Sequence, residues 1–211
     1  MHFRYNYRMQ RSKTSNTKNS DIESIPGNII LVGMMGSGKT TVGKLLANLV
    51  GKTFIDVDHE IQRRTGVGIP LIFEIEGEAG FRKRESEVLR DIVRQQNIVL
   101  ATGGGAILHP DNRALLRLHG TVIYLCAPIS ELRRRTYLDK NRPLLQTGNV
   151  QAKLLELFTQ RDPLYRETAH IVIDSGRQSV RTFVQKLIQK LRQSNQQSIA
   201  ANTPPYSKPS G

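Results

Sequence analysis

The sequence predicts an α/β fold in which a five-stranded parallel sheet is flanked by helices on both faces. Short β-branched runs alternate with amphipathic segments along the chain. A glycine-rich turn follows the first of these runs, aspartates follow the second, and three glycines follow the third. Ligands bind at the carboxyl ends of the strands in such sheets. The turn residues therefore indicate one shared site at that edge.

Each predicted element rests on its residue pattern. The candidate strands are short runs rich in Ile and Val, at residues 28–32, 53–57, 98–101, 121–125 and 169–173. The candidate helices are residues 39–50, 59–65, 69–76, 78–95, 110–118, 129–137, 150–167 and 179–193. In 78–95, the apolar residues Phe81, Val88, Leu89 and Ile92 fall on one stripe, as in a helix packed against a sheet.

The length of 211 residues is suited to one domain with tails. The predicted domain spans residues 27–193, between a basic arm (1–26) and a polar tail (194–211). Both tails lack apolar periodicity and are predicted to be disordered. We find no apolar run near the roughly 18–20 residues of a membrane span and no apolar signal-peptide core. With a single cysteine, Cys126, these features lead us to expect a cytoplasmic protein.

The first glycine-rich turn is the strongest functional motif. Gly33-x-x-x-x-Gly38-Lys39-Thr40 lies between a predicted strand and a predicted helix. Its backbone N–H groups and the helix N-terminus suit phosphate oxygens. Lys39 is expected to reach the β- and γ-phosphates, and the Thr40 hydroxyl to face Mg²⁺. The motif predicts a nucleoside triphosphate and leaves the acceptor open.

Two aspartates end the second predicted strand. Asp56 and Asp58 stand two residues apart, so on an extended chain both side chains would face the crevice. We expect Asp56 to face the water shell of the metal and Asp58 to face the acceptor hydroxyl, which it would orient or deprotonate. The alternative is that Asp58 simply caps the following helix.

A second glycine turn and an arginine–glutamate pair are candidates for binding the acceptor. Gly103, Gly104 and Gly105 follow the third strand, where a ligand can lie against bare backbone. In the predicted helix 78–95, Arg82 can pair with a carboxylate ligand, and Glu85, three residues later on the same face, can hold Arg82 in place. A solvated basic helix face is the alternative explanation of Arg82.

A basic segment follows the fourth strand. Residues 137–149 lack regular periodicity and are predicted to form a mobile lid that excludes water and places Arg142 on the transferring phosphoryl group. Farther along, Arg161 is a candidate for ligand or fold, and Tyr165 is predicted to lie in the core.

Several motifs together resemble the shikimate kinase family of P-loop, nucleoside monophosphate kinase-like proteins. The matching stretches are, in order, GMMGSGKTTVGKLLA, FIDVDHEIQRRTG, IFEIEGEAGFRKRE, ATGGGAI, RTYLDKNRPLL and RDPLYRE. The phosphate loop is widely shared. The Asp-x-Asp, Phe-Arg-x-x-Glu and Gly-Gly-Gly elements are more specific in combination.

The resemblance implies ATP-dependent phosphorylation of the shikimate 3-hydroxyl, in the chorismate pathway to aromatic amino acids, with Mg²⁺ at one site. It implies catalytic roles for Lys39, Asp58 and Arg142. The implied acceptor contacts are Asp58, Arg82, Glu85, Gly103, Gly104, Gly105 and Arg161. The implied ATP contacts are Gly36, Ser37, Gly38, Lys39, Thr40, Thr41, Arg135, Arg142 and Arg177. Thr40 and Asp56 would serve the metal. Arg177 stands where some relatives have a proline beside adenine, so the base contacts stay open.

The sequence also allows two other functions. A related small-molecule kinase of the gluconate or nucleoside monophosphate type is disfavoured by the Gly-Gly-Gly and Phe-Arg-x-x-Glu elements. The net charge of +13 suggests the second alternative, a nucleotide-dependent binding protein whose basic arm binds nucleic acid or a partner. Few aromatic residues and no recognised nucleic-acid module disfavour it. We expect a monomer that binds shikimate and ATP and neither nucleic acid nor membrane.

Overall fold

The computed structural model describes residues 25–136, 144, 149–176 and 178–202, with the side chains of 197–202 left out. The predicted arm up to residue 24, most of the predicted lid, and Arg142 and Arg177 lie outside the described residues. None of the described helices is long and apolar enough to span a membrane.

Five parallel strands form one sheet, as the sequence predicts; numbered along the chain, they lie in the order 2-3-1-4-5, which the sequence did not predict. The strands are β1 (Ile29–Val32), β2 (Thr53–Asp56), β3 (Ile98–Ala101), β4 (Thr121–Cys126) and β5 (Ile171–Asp174). The helices are α1 (Lys39–Val50), α2 (Val57–Thr65), α3 (Ile69–Ile92), α4 (Pro110–His119), α5 (Ile129–Thr136), α6 (Val150–Thr168) and α7 (Val180–Asn202). A 3₁₀ helix at Ala106–Leu108, which the pattern did not predict, follows β3.

The central strand β1 shows how the two faces of the sheet are covered. All four of its residues are buried, and successive side chains point to opposite faces. Ile29 and Leu31 pack in a cluster with residues of α1 and α7. Ile30 and Val32 pack in a second cluster with residues of α2, α3, α4 and α6. Covering both faces explains why the strand is apolar at every position.

Several element ends differ from the predicted ones for local reasons. Strand β2 ends at Asp56 because its carboxylate accepts hydrogen bonds from the backbone N–H of Asp58 and His59 and caps α2. Strand β5 begins at Ile171 because α6 continues to Thr168 and the N–H of Ala169 still bonds Tyr165 O. The two helices predicted on either side of residue 77 form α3, interrupted where Gly77 adopts φ 67°.

The last helix continues past its predicted end at residue 193 and into the predicted C-terminal tail. It reaches Asn202. Residues 194–202 contain neither glycine nor proline, whereas Pro204 follows closely. Helical backbone is disfavoured at the residue before a proline. The first residue type that disfavours continuation of the helix is therefore met only at residues 203 and 204.

Candidate active site

The phosphate loop leaves the carboxyl end of the central strand. Gly33, Gly36 and Gly38 have φ values of 145°, 78° and 96°, which other residues rarely adopt. Lys39 begins α1, and its Nζ donates to Gly33 O at 2.8 Å and Met34 O at 3.0 Å. Gly38 caps α1 without a side-chain hydrogen bond. The N–H groups of this helix end are therefore not taken up by a capping side chain, which suits an anion.

A hydroxyl and a carboxylate meet beside this loop. Thr40 Oγ1 donates to Asp56 Oδ2 at 2.7 Å, so α1 and the end of β2 are joined. Both are oxygen ligands of the kind Mg²⁺ prefers, and Mg²⁺ usually takes only one or two protein ligands beside substrate phosphates. Among the described residues no group of three or more metal-ligating side chains occurs. The Thr40–Asp56 pair is therefore suited to a Mg²⁺ ion that is held mainly by substrate phosphates, and not to an ion held by protein ligands alone.

The spacing predicts that both aspartates lie on one extended strand with their side chains on the same side, and this prediction is wrong. Asp56 ends β2 and caps α2, whereas Asp58 lies in the first turn of that helix. The alternative in which Asp58 is the cap is also wrong. The helix turn nevertheless brings Asp58 to the wall of a pocket at the carboxyl edge of the sheet.

This pocket brings together the residues predicted to contact the acceptor, apart from Glu85, which lies behind its wall. Its polar wall is formed by Asp58, Arg82, Gly103, Gly104, Gly105 and Arg161. Its apolar wall is formed by Ile69, Phe73, Phe81, Leu144 and Met35. Met35 belongs to the phosphate loop, so the pocket adjoins that loop although Lys39 is not part of its lining. One small polar ligand with an apolar ring face would suit such a lining.

Arg82 is held in place from two sides. Its Nη1 donates to Glu85 Oε2 at 2.8 Å, and its Nη2 donates to Glu78 Oε1 at 2.9 Å. Glu85 is fully buried, and burial raises its pKa to about 7, against the opposing effect of Arg82. The predicted support of Arg82 by Glu85 is therefore present in the geometry, together with a contact to Glu78 that the motif did not indicate.

The three glycines make room for this pair. A Cβ on Gly103 would overlap Glu85 Oε1, and a Cβ on Gly105 would overlap the Arg82 guanidinium. Neither glycine has a positive φ. Close approach of buried side chains, rather than an unusual turn, explains why no larger residue fits at these two positions.

Arg161 is almost completely buried in α6. It is 2% exposed, its Nη1 donates to Gly104 O at 3.3 Å, and its Nε has no hydrogen-bond partner among the described residues. Burial lowers its pKa, and the nearby charge of Arg82 lowers it further. A buried guanidinium with spare donors beside a second arginine favours a carboxylate ligand in the pocket.

A second pocket lies on the other side of the phosphate loop. Arg135 Nη1 donates to Gly36 O at 3.3 Å and to Ser37 O, while its Nη2 donates to Ser175 O at 3.3 Å. The pocket is lined by Ser37, Gly38, Thr41, Val42, Arg134, Arg135, Ser175, Gln178, Val180 and Phe183. Its position beside the loop suits the base of a nucleotide whose phosphates lie in that loop.

The motifs missed some residues of both pockets. Met35, Phe73, Ser175 and Gln178 stand at positions that no pattern marked as functional. Tyr165 was predicted only as core, and it is fully buried, but its hydroxyl donates to Gly104 O. Its position four residues after Arg161, on the same helix face, was a signal that could have revealed it.

Comparisons with known proteins identify relatives of this chain. Residues 35–192 match the family described as shikimate kinase. The chain is 89% identical to a shikimate kinase of Nitrosomonas europaea over 210 residues, covering 100% of both. A solved shikimate kinase from Acinetobacter baumannii, in complex with shikimate, has a TM-score of 0.79 and 51% identity, covering 80% of this chain and 94% of that one.

A gluconokinase from Sinorhizobium meliloti is also similar, with a TM-score of 0.54 and 15% identity, covering 86% of this chain and 100% of that chain. At this identity the likeness extends to the fold alone. The gluconate-type alternative therefore gains no support from it.

We expect the Glu85→Gln variant to change how the free energy of unfolding depends on pH. The pKa of Glu85 rises from 4.5 to about 7 on folding, so the folded state holds a proton that the unfolded state releases. This stabilisation is fully present below about pH 4.5 and is lost as the pH rises through 7, by on the order of 3 kcal/mol. The variant should lack this component.

Urea unfolding of both proteins between about pH 5 and pH 8.5 measures the difference. Glu156→Gln is the matched control, because Glu156 pairs with Lys153 on the surface and its side chain is 64% exposed. Parallel pH curves for the Glu85 variant and the unchanged protein would show that Glu85 does not titrate differently on folding.

Proposed function

The chain belongs to the shikimate kinase family, and we propose that it transfers the γ-phosphoryl group of ATP to the 3-hydroxyl of shikimate. One observation carries the proposal at the level of residues. Asp58, Arg82, Gly104 and Arg161 line a single pocket with Met35 of the phosphate loop. The acceptor and the phosphate donor can therefore lie side by side, as in-line transfer requires.

The acceptor is held by charge and by hydrogen bonds. Arg82 and Arg161 bind the shikimate carboxylate, with Glu85 keeping Arg82 in position. Phe73 and Phe81 supply an apolar wall for the ring. Asp58 accepts a hydrogen bond from the ring hydroxyls and so orients the 3-hydroxyl toward the phosphate loop. The backbone of Gly103, Gly104 and Gly105 forms the remaining polar wall.

The donor is held on the other side of Met35. The backbone of Gly36, Ser37 and Gly38 and the side chain of Lys39 bind the phosphates, with Thr40 and Thr41 at the start of α1. Arg135 lies against the base. When bound, Mg²⁺ neutralises charge on the phosphates, and Thr40 and Asp56 would hold it, Asp56 through water.

Transfer needs little covalent chemistry from the protein. A bond forms from the 3-oxygen to the γ-phosphorus, the bond to the β-phosphate oxygen breaks, and ADP leaves. The proton of the 3-hydroxyl passes to the Asp58 carboxylate. Lys39 and Arg142 stabilise the charge on the transferring group. Arg142 and Arg177 enter this account from the sequence motifs alone, Arg177 as a base contact, because both lie outside the described residues.

We also propose that the enzyme acts as a monomer in the cytoplasm. The single cysteine, Cys126, supports a reducing compartment because no internal disulfide can form. Light scattering of the purified full chain tests the monomer.

The acceptor is tested directly by ADP release. With ATP and Mg²⁺ present, shikimate should raise the rate of ADP release far above the rate without acceptor, and the product should carry one phosphate on the 3-hydroxyl. Gluconate and nucleoside monophosphates serve as control acceptors. Equal stimulation by gluconate would contradict the assignment of shikimate.

We expect Arg82→Ala to weaken shikimate binding far more than ATP binding. Loss of a charge-assisted pair with the carboxylate costs about 2–3 kcal/mol, or roughly thirtyfold to a hundredfold in affinity. Separate titrations with shikimate and ATP measure it. Arg63→Ala is the control, because Arg63 pairs with Glu60 and is 72% exposed. Similar losses for both ligands would remove Arg82 from the acceptor site.

Asp58→Asn should abolish most turnover while the chain stays folded. The amide is nearly the same size as the carboxylate but carries no charge and accepts the hydroxyl proton poorly, so a loss of about a hundredfold or more in kcat is expected. Asp91→Asn, at a 58% exposed surface pair with Arg64, is the matched control. Near-normal turnover with a native circular dichroism spectrum would exclude Asp58 from the mechanism.

A further inference from the structure

Helix α6 directs two side chains at one backbone carbonyl. Arg161 Nη1 and the Tyr165 hydroxyl both donate to Gly104 O, from positions one helical turn apart. Tyr165 is fully buried, and burial raises its pKa above the ordinary range of a phenol. The hydroxyl therefore stays protonated at neutral pH and remains a hydrogen-bond donor.

The carbonyl that they hold lies between the proposed acceptor pocket and the phosphate loop. Gly104 lines the acceptor pocket. A Cβ built on it would also lie 3.4 Å from Met35 N and 3.7 Å from Gly33 O, both in the phosphate loop. A trans peptide is planar, so fixing the direction of Gly104 C=O also fixes the opposite direction of the Gly105 N–H.

We propose that Tyr165 is a positioning residue for phosphoryl transfer and acts through the Gly104–Gly105 peptide. Its hydroxyl sets the orientation of a peptide that contacts the acceptor and packs on the phosphate loop. The 3-hydroxyl is thereby held at the right distance from the γ-phosphate. This inference rests on the proposed function, because the acceptor that it positions is shikimate.

A neighbouring tyrosine provides an unusually close control. Tyr124 stacks on Tyr165 with ring centroids 4.8 Å apart, and it is equally buried. Its hydroxyl, however, donates to Asp162 Oδ1 at 2.8 Å rather than to Gly104. Replacing either tyrosine with phenylalanine removes its partly buried hydrogen bond and keeps the stacked rings. Only one of the two replacements touches the pocket wall.

The test compares the steady-state kinetics of Tyr165→Phe, Tyr124→Phe and the unchanged enzyme. Tyr165→Phe should lower kcat/KM for shikimate by about fivefold to tenfold, the loss expected for one hydrogen bond. Its KM for ATP should stay within about twofold, because the variant keeps Arg135 and every residue of the phosphate loop, and Tyr165 donates to neither of them. Tyr124→Phe should leave both substrates' constants within about twofold. Gly104 O keeps its bond from Arg161, so the Tyr165 variant should fold.

Each outcome decides something different. If the unchanged enzyme fails to phosphorylate shikimate, the proposed function and this inference are both wrong. If the enzyme is active and the two variants have the same shikimate kinetics, only the role of Tyr165 is wrong. Equal losses for shikimate and ATP in Tyr165→Phe, or a Tyr165→Phe protein without native circular dichroism at any temperature, would indicate a structural role and likewise overturn the inference.

Discussion

The acceptor side of the molecule depends on one buried ion pair, between Arg82 and Glu85. A carboxylate without solvent contact is costly unless a cation and hydrogen bonds offset its burial. Glu85 has Arg82 within 2.8 Å on one oxygen, and its other oxygen lies against Gly103. The pair therefore requires residues without a Cβ at positions 103 and 105, where a Cβ would overlap Glu85 and Arg82. The glycine turn that follows β3 meets this requirement and at the same time forms part of the polar wall of the pocket.

The parallel sheet explains how distant segments serve one reaction. Strand β1 lies in the middle, with β3 on one side and β4 on the other. The phosphate loop follows β1. Asp58 and the three glycines of the acceptor pocket follow β2 and β3. Arg135 and Ser175 of the second pocket follow β4 and β5. Because all five strands are parallel, their carboxyl ends meet at one edge. The contact of Arg135 with Gly36 O then joins helix α5 to the phosphate loop, although the two are far apart in sequence.

Much of this was predictable from residue patterns, and the exceptions have physical causes. Apolar strand runs and the glycine-lysine motif identified the sheet and the phosphate loop, because both depend on local sequence. The spacing of Arg82 and Glu85 predicted their contact for the same reason. The directions of Asp56 and Asp58 were not predictable from spacing, since a capping hydrogen bond decides where β2 gives way to α2. The contact of Tyr165 with Gly104 joins residues on separate elements. Helix periodicity places Tyr165 on the same face as Arg161, but it does not identify the backbone group that both side chains contact.

Asp56 performs two tasks with one carboxylate. Its Oδ1 caps α2, the helix that carries Asp58, and its Oδ2 receives the Thr40 hydroxyl of the phosphate loop. Substituting Asp56 would loosen the start of α2 as well as alter the oxygen cluster beside Thr40. Low turnover in an Asp56 variant would therefore not by itself show the loss of a metal ligand, because the same substitution removes the cap of the helix that carries Asp58.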